Sequence, residues 1–106
     1  MMFNKILVPL DGSKLAEQVF PYVVVLAKAF DPEIFLVGVC EPEETTSGQE
    51  CRLYLNSEAA LLQQQLGPGA PRIHQVTLEG HAAEKILEYA REQQMDMILA
   101  SSHGRS

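Results

Sequence analysis

Asp11 is the first residue of the chain whose type and position could do chemistry. It follows the apolar residues 6–8 and Pro9, and it opens the turn sequence Asp11-Gly12-Ser13. The apolar run predicts a strand buried on both faces, and Pro9, which has no amide hydrogen, predicts the end of its pairing. Ser13 is placed to cap a following helix. A carboxylate at the carboxyl end of such a strand lies where open α/β sheets bind ligands, so we favour a ligand role over turn formation alone.

A second polar segment follows the last apolar run. Residues 101–106 read Ser-Ser-His-Gly-Arg-Ser. Taken alone, Gly104 and Arg105 are typical of an exposed loop that binds nothing. His103 has no nucleophile beside it in the sequence, so we interpret it as solvated rather than as a catalytic base.

Length and charge limit the classes of function. The chain has 106 residues, enough for one domain, and its net charge of −6 argues against a bulk electrostatic grip on nucleic acid or on anionic membrane. The longest apolar stretch, residues 19–27, contains Pro21 and is far shorter than the roughly 20 residues that span a bilayer. We see no leader sequence, so we expect a cytoplasmic protein without a nucleic acid or membrane partner.

The cysteines and histidines show no metal-site spacing. Cys40 and Cys51 form no CxxC pair, and we expect two free thiols in a reducing compartment rather than a disulfide or a metal site. His74, His81 and His103 are too scattered for a zinc site, so we predict no tightly bound structural metal.

The periodicity of apolar residues predicts alternating strands and helices. Helical spacing covers residues 14–30, 50–66 and 81–94, with a bend expected at Pro21 in the first helix. Strands are predicted around residues 6–8 and at 33–41, 72–78 and 95–100, with 72–78 as an edge strand. The inward-facing residues are predicted to be Leu15, Val19, Val23, Leu26, Ala27 and Phe30 in the first helix and Ala83, Ile86, Leu87 and Ala90 in the third. Such alternation predicts an α/β fold with parallel strands, right-handed crossovers and helices on both faces.

Several segments taken together resemble the universal stress protein family. They are residues 6–13, Ala16-Glu17, Pro21-Tyr22, Gly80, and residues 96–99 running into 102–106. The resemblance spans the whole chain and implies one domain over residues 1–106. Its fold would be doubly wound and Rossmann-like, similar to the adenine-nucleotide alpha hydrolases, with strand order 3-2-1-4 in an open parallel sheet. The family normally adds a fifth strand, so we expect the domain to continue beyond Ser106. The alternative is a naturally short chain in which a partner covers the exposed edge of the fourth strand.

The resemblance also implies a nucleotide site. In family members that bind ATP, residues matching Pro9 and Asp11 lie beside adenine and ribose, and the backbone matching Val39 meets the adenine. A glycine motif wraps ribose and phosphates; here Ser101 replaces its first glycine and Gly104 matches its second. The distal Gly-Ser of that motif would lie beyond Ser106. The residues predicted to bind nucleotide are Pro9, Leu10, Asp11, Val39, Ala100, Ser101, His103, Gly104 and Arg105.

These features lead to three hypotheses about function. The first is a stress-response binding protein that holds ATP, ADP or AMP, with Mg²⁺ as an accompanying cation, and forms a homodimer. The second is a dimerisation or interaction module of the same fold that binds no nucleotide, which Ser101 and the absent distal motif favour. The third is a slow ATP hydrolase, ranked last because no residue clearly positions a water or acts as an arginine finger.

Overall fold

The first strand of the chain is a central strand of its sheet. The computed structural model describes residues 4–12, 14–40, 48–69 and 72–101. In it, β1 (Lys5–Leu10) pairs in parallel with β2 (Glu33–Cys40) on one side and with β4 (Met97–Ile98) on the other. Strand β3 (Ile73–Glu79) pairs with β2 and forms an edge, as predicted. The order β3-β2-β1-β4 confirms the predicted 3-2-1-4 topology.

Pro9 ends only one of the two ladders of β1, so the predicted stop is half wrong. Pairing with β2 continues through Pro9↔Val37 and Leu10↔Gly38. On the β4 side, the Leu99 amide donates to the Leu7 carbonyl at 2.9 Å. In a parallel ladder the next donor on that side would be the amide of residue 9, which proline lacks. The strands therefore separate at this point and leave space between their carboxyl ends.

One face of the sheet is covered by three helical segments. The first is a 3-10 helix (Lys14–Val19), followed by α1 (Phe20–Phe30) and then by α2 (Gly48–Leu66). The sheet contributes the alternate residues Ile6, Val8, Leu10, Ile34 and Leu36 to the buried cluster on this face. Gly38 continues that row, and a Cβ there would lie 3.3 Å from Leu55 of α2. Gly38 thus leaves room for the Leu55 side chain in the core.

The first predicted helix divides into two parts, which corrects the expected bend. Pro21 lies in the first turn of α1, where a missing amide hydrogen costs no helical bond. The 3-10 helix before it turns the side chains out of the predicted stripe, and Leu15 is exposed. Phe30, at the far end of α1, is exposed as well, while Val19, Val23 and Ala27 are buried as predicted. Ser13, the predicted cap, lies outside the described residues.

Within the part of the chain that the structure describes, the opposite face is covered only by α3 (Ala82–Glu92). This helix contains no buried residue, although its apolar side chains follow one stripe. The prediction of four core-facing residues in this helix is therefore only partly right. Ile86 and Ala90 are half-buried, whereas Ala83 and Leu87 are exposed. No second helix among the described residues packs beside α3. Within that same part of the chain, no helix combines the length and apolar character needed to cross a bilayer.

Polar side chains fix the amino-terminal edge of the sheet. The Asp96 carboxylate accepts hydrogen bonds from the backbone amides of Asn4 at 2.8 Å and Lys5 at 2.9 Å. Glu33, at the start of β2, forms an ion pair of 2.6 Å with Arg72. These contacts set the strand register at the edge opposite the polar loops singled out from the sequence, so we assign them a structural role.

Candidate functional site

A cleft of about 370 Å³ opens at the carboxyl ends of β1, β2 and β4. It lies where the β1 and β4 ladders separate after Pro9, and α3 closes its other side. Its volume is within the roughly 300–1,000 Å³ of sites that bind small molecules. The lining residues are Pro9, Leu10, Asp11, Ala16, Val39, Ala82, Ala83, Ile86, Ala100 and Ser101.

The structure brings together the predicted site residues that it describes. Six of them line this one cleft: Pro9, Leu10, Asp11, Val39, Ala100 and Ser101. They come from three strands that are far apart in sequence, and the strand order 3-2-1-4 is what makes them neighbours. His103, Gly104 and Arg105 lie outside the described residues. The binding role of the whole set stays a prediction.

The contribution of α3 to the cleft was missed from the sequence. Ala82, Ala83 and Ile86, in the first two turns of α3, form one wall. Gly80 allows this placement because its φ of +127° suits glycine, and a Cβ there would lie 2.7 Å from the Lys85 side chain. A helix that follows an edge strand begins at the carboxyl edge of the sheet, so the position of Gly80 was the available signal.

The walls of the cleft are mostly apolar with few polar groups. Pro9, Val39 and Ile86 offer surfaces suited to a flat ring, Asp11 supplies a carboxylate and Ser101 a hydroxyl. Among the described lining residues there is no lysine or arginine. This part of the cleft therefore suits a neutral ligand that combines an aromatic ring with hydroxyl groups, and it supplies no charge partner for phosphate.

Cys40 and Cys51 are joined in a disulfide, which corrects the expectation of two free thiols. Cys40 is the last residue of β2, and Cys51 is the fourth residue of α2. The start of α2 therefore lies next to the carboxyl end of β2. The Cα atoms of the two cysteines are 6.6 Å apart, within the usual range for a disulfide. A smaller pocket of about 150 Å³ adjoins the bridge and shares Leu10 and Val39 with the main cleft. The sequence separation of 11 gave no warning of this proximity.

Tyr54 of α2 lies behind the loop that carries Asp11. Burial is the main reason that the pKa of Tyr54 is raised to about 12, and the nearby carboxyl of Glu58 adds to the shift. A hydrogen bond with the Gly12 backbone opposes it. The phenol is therefore neutral at physiological pH and links α2 to the loop between β1 and the 3-10 helix. Within residues 4–12, 14–40, 48–69 and 72–101, no three His, Cys, Asp or Glu side chains are grouped to hold a metal ion.

The fold and the cleft define a class of protein: an open, doubly wound α/β domain with a cleft at the carboxyl edge of its parallel strands. Within this class, the model of the universal stress protein family matches residues 2–106. The chain belongs to that family, which confirms the resemblance drawn from the sequence.

Individual relatives agree with this assignment. Universal stress protein MJ0531 of Methanocaldococcus jannaschii is 25% identical over 122 residues, covering 99% of this chain and 68% of the relative. A universal stress protein solved in complex with cAMP has a TM-score of 0.80 at 17% identity, over 100% of this chain and 78% of that one. UspA from Lactobacillus plantarum has a TM-score of 0.70 at 22% identity, over 100% and 85%. Likeness at these identities confirms the fold.

Proposed function

We propose that the cleft binds an adenine nucleotide and that the protein acts as a regulatory binding protein in a stress response rather than as an enzyme. One observation carries the proposal: six residues expected to contact nucleotide come from three separate strands and line one cleft of suitable volume. A structural neighbour in complex with cAMP, itself an adenine nucleotide, supports the same ligand class.

The described residues suit the nucleoside part of such a ligand. Pro9 and Val39 offer apolar contact for adenine on the sheet side, and Ile86 offers it on the α3 side. Asp11 can accept hydrogen bonds from ribose hydroxyls, and a hydrogen bond to a charged acceptor contributes about 1.5–3 kcal/mol. We propose that Ala100 and Ser101 contact the ribose.

The phosphates would depend on other residues. Because the described lining holds no cation, we propose that His103, Gly104 and Arg105 approach the phosphates of ATP, ADP or AMP. Mg²⁺ would then accompany the phosphates rather than bind to the protein alone. Adenosine should therefore make all the contacts that the described cleft offers. Any gain in affinity from adenosine to AMP, ADP or ATP would then report the contribution of the residues beyond Ser101.

Calorimetric titration with adenosine tests the proposal most directly. We expect Asp11→Asn to weaken binding at least about tenfold, because the amide has one acceptor oxygen and no charge. Ala83→Leu should also weaken binding because it fills the cleft from an exposed helical position. The matched controls are Asp31→Asn, at a carboxylate beyond the opposite edge of the sheet, and Ala60→Leu, at an exposed position of α2. Equal affinities in all four variants would remove the cleft from the proposal.

A dimerisation module is the second candidate, and exposed apolar side chains beside β4 favour it. Tyr22 of α1 is 64% exposed, Val25 follows three residues later on the same side, and Ile98 of the edge strand β4 is 40% exposed. We propose that this surface contributes to a homodimer, with or without nucleotide. Sedimentation equilibrium with and without adenosine separates the two candidates, since a dimer that binds no adenosine would favour the second alone.

We propose a cytoplasmic location, and the disulfide provides its test. Disulfides are rare in reducing compartments. Thiol trapping in intact cells should therefore find Cys40 and Cys51 reduced if the protein works in the cytoplasm. A pair that is fully oxidised in cells would count against this location.

A further inference from the structure

Glu58 is a buried carboxyl group in the core-facing side of α2. Its side chain is 4% exposed, and it lies between Leu55 and Leu62, which are both fully buried. Its Oε1 atom has no hydrogen-bond partner among the described residues, and no ion pair with Lys or Arg satisfies it there. Since a buried unpaired carboxylate is strongly unfavourable, the folded protein favours the protonated form of this group.

The 3-10 helix packs against Glu58 and presents a second carboxyl. Burial, then a hydrogen bond with Glu17 and repulsion by its charge, raise the pKa of Glu58 to about 7. Lys14 of the same 3-10 helix opposes the shift. Tyr54, one turn earlier in α2, stays neutral over this range and contributes no charge. Glu58 therefore keeps its proton until the solution becomes basic enough to remove it.

The position of the 3-10 helix also matters for the cleft. Ala16, next to Glu17 in sequence, is buried and lines the cleft, and residues 11 and 12 lead into the same segment. A 3-10 helix of six residues is long for its type, and its backbone hydrogen bonds have poorer geometry than those of an α-helix. Its placement therefore depends on side-chain contacts, and its Ala16 and Val19 side chains are buried in the same apolar cluster as Leu55 of α2.

We propose that the Glu17–Glu58 pair is a proton-operated latch that holds the 3-10 helix against α2 below neutral pH and releases it above neutral pH. In the closed state the Glu58 carboxylic acid donates a hydrogen bond to the Glu17 carboxylate. Above neutral pH the proton passes to water, and the two carboxylates repel each other. Residues 11, 12 and 14–16 then lose their support from α2 at one wall of the cleft.

Amide hydrogen exchange of residues 14–19, corrected for intrinsic rates, tests the latch without any ligand. Between about pH 5.5 and about pH 8.5 we expect the wild-type protection factors to fall at least about tenfold relative to those of β1. Glu58→Gln should keep its protection at both values, because the Gln amide donates to Glu17 without titrating. Glu84→Gln, at an exposed position of α3, is the matched control and should behave as wild type.

Two results would overturn the latch. One is wild-type protection that does not change with pH, and the other is a pH dependence that persists in Glu58→Gln. If Glu58→Gln fails to fold, Glu17→Gln replaces it. That variant removes the charge that repels ionised Glu58, and its amide can donate to the Glu58 carboxylate, so the fall in protection should be lost. A fall as large as in the wild type would equally overturn the proposal.

The consequence for the cleft rests on the proposed function and is measured separately. Adenosine has no group that titrates over this range, so its dissociation constant should rise with pH in the wild type and stay constant in Glu58→Gln. If adenosine does not bind at any pH while the exchange result holds, the proposed function fails and the latch stands. If adenosine binds with a pH-independent constant and exchange is also constant, the latch fails alone.

Discussion

The two faces of the sheet differ in how completely they are covered. The face that carries Ile6, Val8 and Leu36 lies under three helical segments and holds the buried cluster of the protein. The face that carries Pro9, Val37 and Val39 lies under α3, none of whose residues is buried. We infer that the first face supplies most of the stability, while the second leaves room for a ligand. Most of the stability and the proposed binding thus fall on opposite sides of the same strands, and Leu10 and Ala16 contribute to both.

The largest expected effect separates the two faces by truncation. Phe20 of α1 is fully buried on the first face, so Phe20→Ala should lower the free energy of unfolding by about 3–5 kcal/mol. Leu87 of α3 is 55% exposed, and Leu87→Ala should change the free energy of unfolding by less than about 0.5 kcal/mol. Urea unfolding measures both. Similar losses in the two variants would mean that α3 is as important to stability as α1.

The disulfide sharpens the same comparison, because it ties α2 to the sheet on the first face. A bridge with a sequence separation of 11 should stabilise the protein by about 3 kcal/mol through the chain entropy of the unfolded state. Reduction should therefore lower the urea midpoint. The double variant Cys40→Ser/Cys51→Ser should show the lower midpoint with or without reductant. If reductant does not change the urea midpoint of the wild type, the disulfide does not contribute to the stability of the protein.

An effect of similar size concerns Glu58, which among the described residues is the one charged residue buried in the well-covered face. Glu58 has a pKa of about 7 when folded and its ordinary value of 4.5 when unfolded. Between these values the folded state binds the proton and the unfolded state does not, so the free energy of unfolding should fall as pH rises, by about 3 kcal/mol in total. Glu58→Gln should lose this dependence and be the more stable protein at pH 8. Parallel stability curves for the two proteins would contradict the assignment.

The sequence predicted correctly those elements whose apolar pattern fits only one kind of secondary structure. The buried strand before Asp11, the edge position of β3 and the alternation of elements all followed from local apolar patterns. The strand order came from the family resemblance, and it placed residues from β1, β2 and β4 in one cleft. Residues at the ends of parallel strands are the easiest site to predict, because the fold alone determines that they meet.

The remainder depended on packing that no local pattern encodes. Charged residues are rarely buried, so the position of Glu58 inside the core had no signal beyond its helical register. The pairing of Cys40 with Cys51 depended on where α2 begins over the end of β2. The apolar stripe of α3 correctly predicted which side of the helix faces the sheet, but it overestimated how far that side is buried. Full burial requires packing neighbours on several sides, and among the described residues only the sheet packs against α3.

The hydrogen bonds of Asp96 carry a consequence for synthesis of the chain. They join the amides of Asn4 and Lys5 to a residue 92 and 91 positions later. On the ribosome β1 emerges first, yet its β4 edge gains a partner only after residue 98 has been made. At about 5–20 residues per second, that apolar edge is without its partner for several seconds. The nascent chain is therefore an expected client of chaperones that shield unpaired strands, and it completes its sheet late.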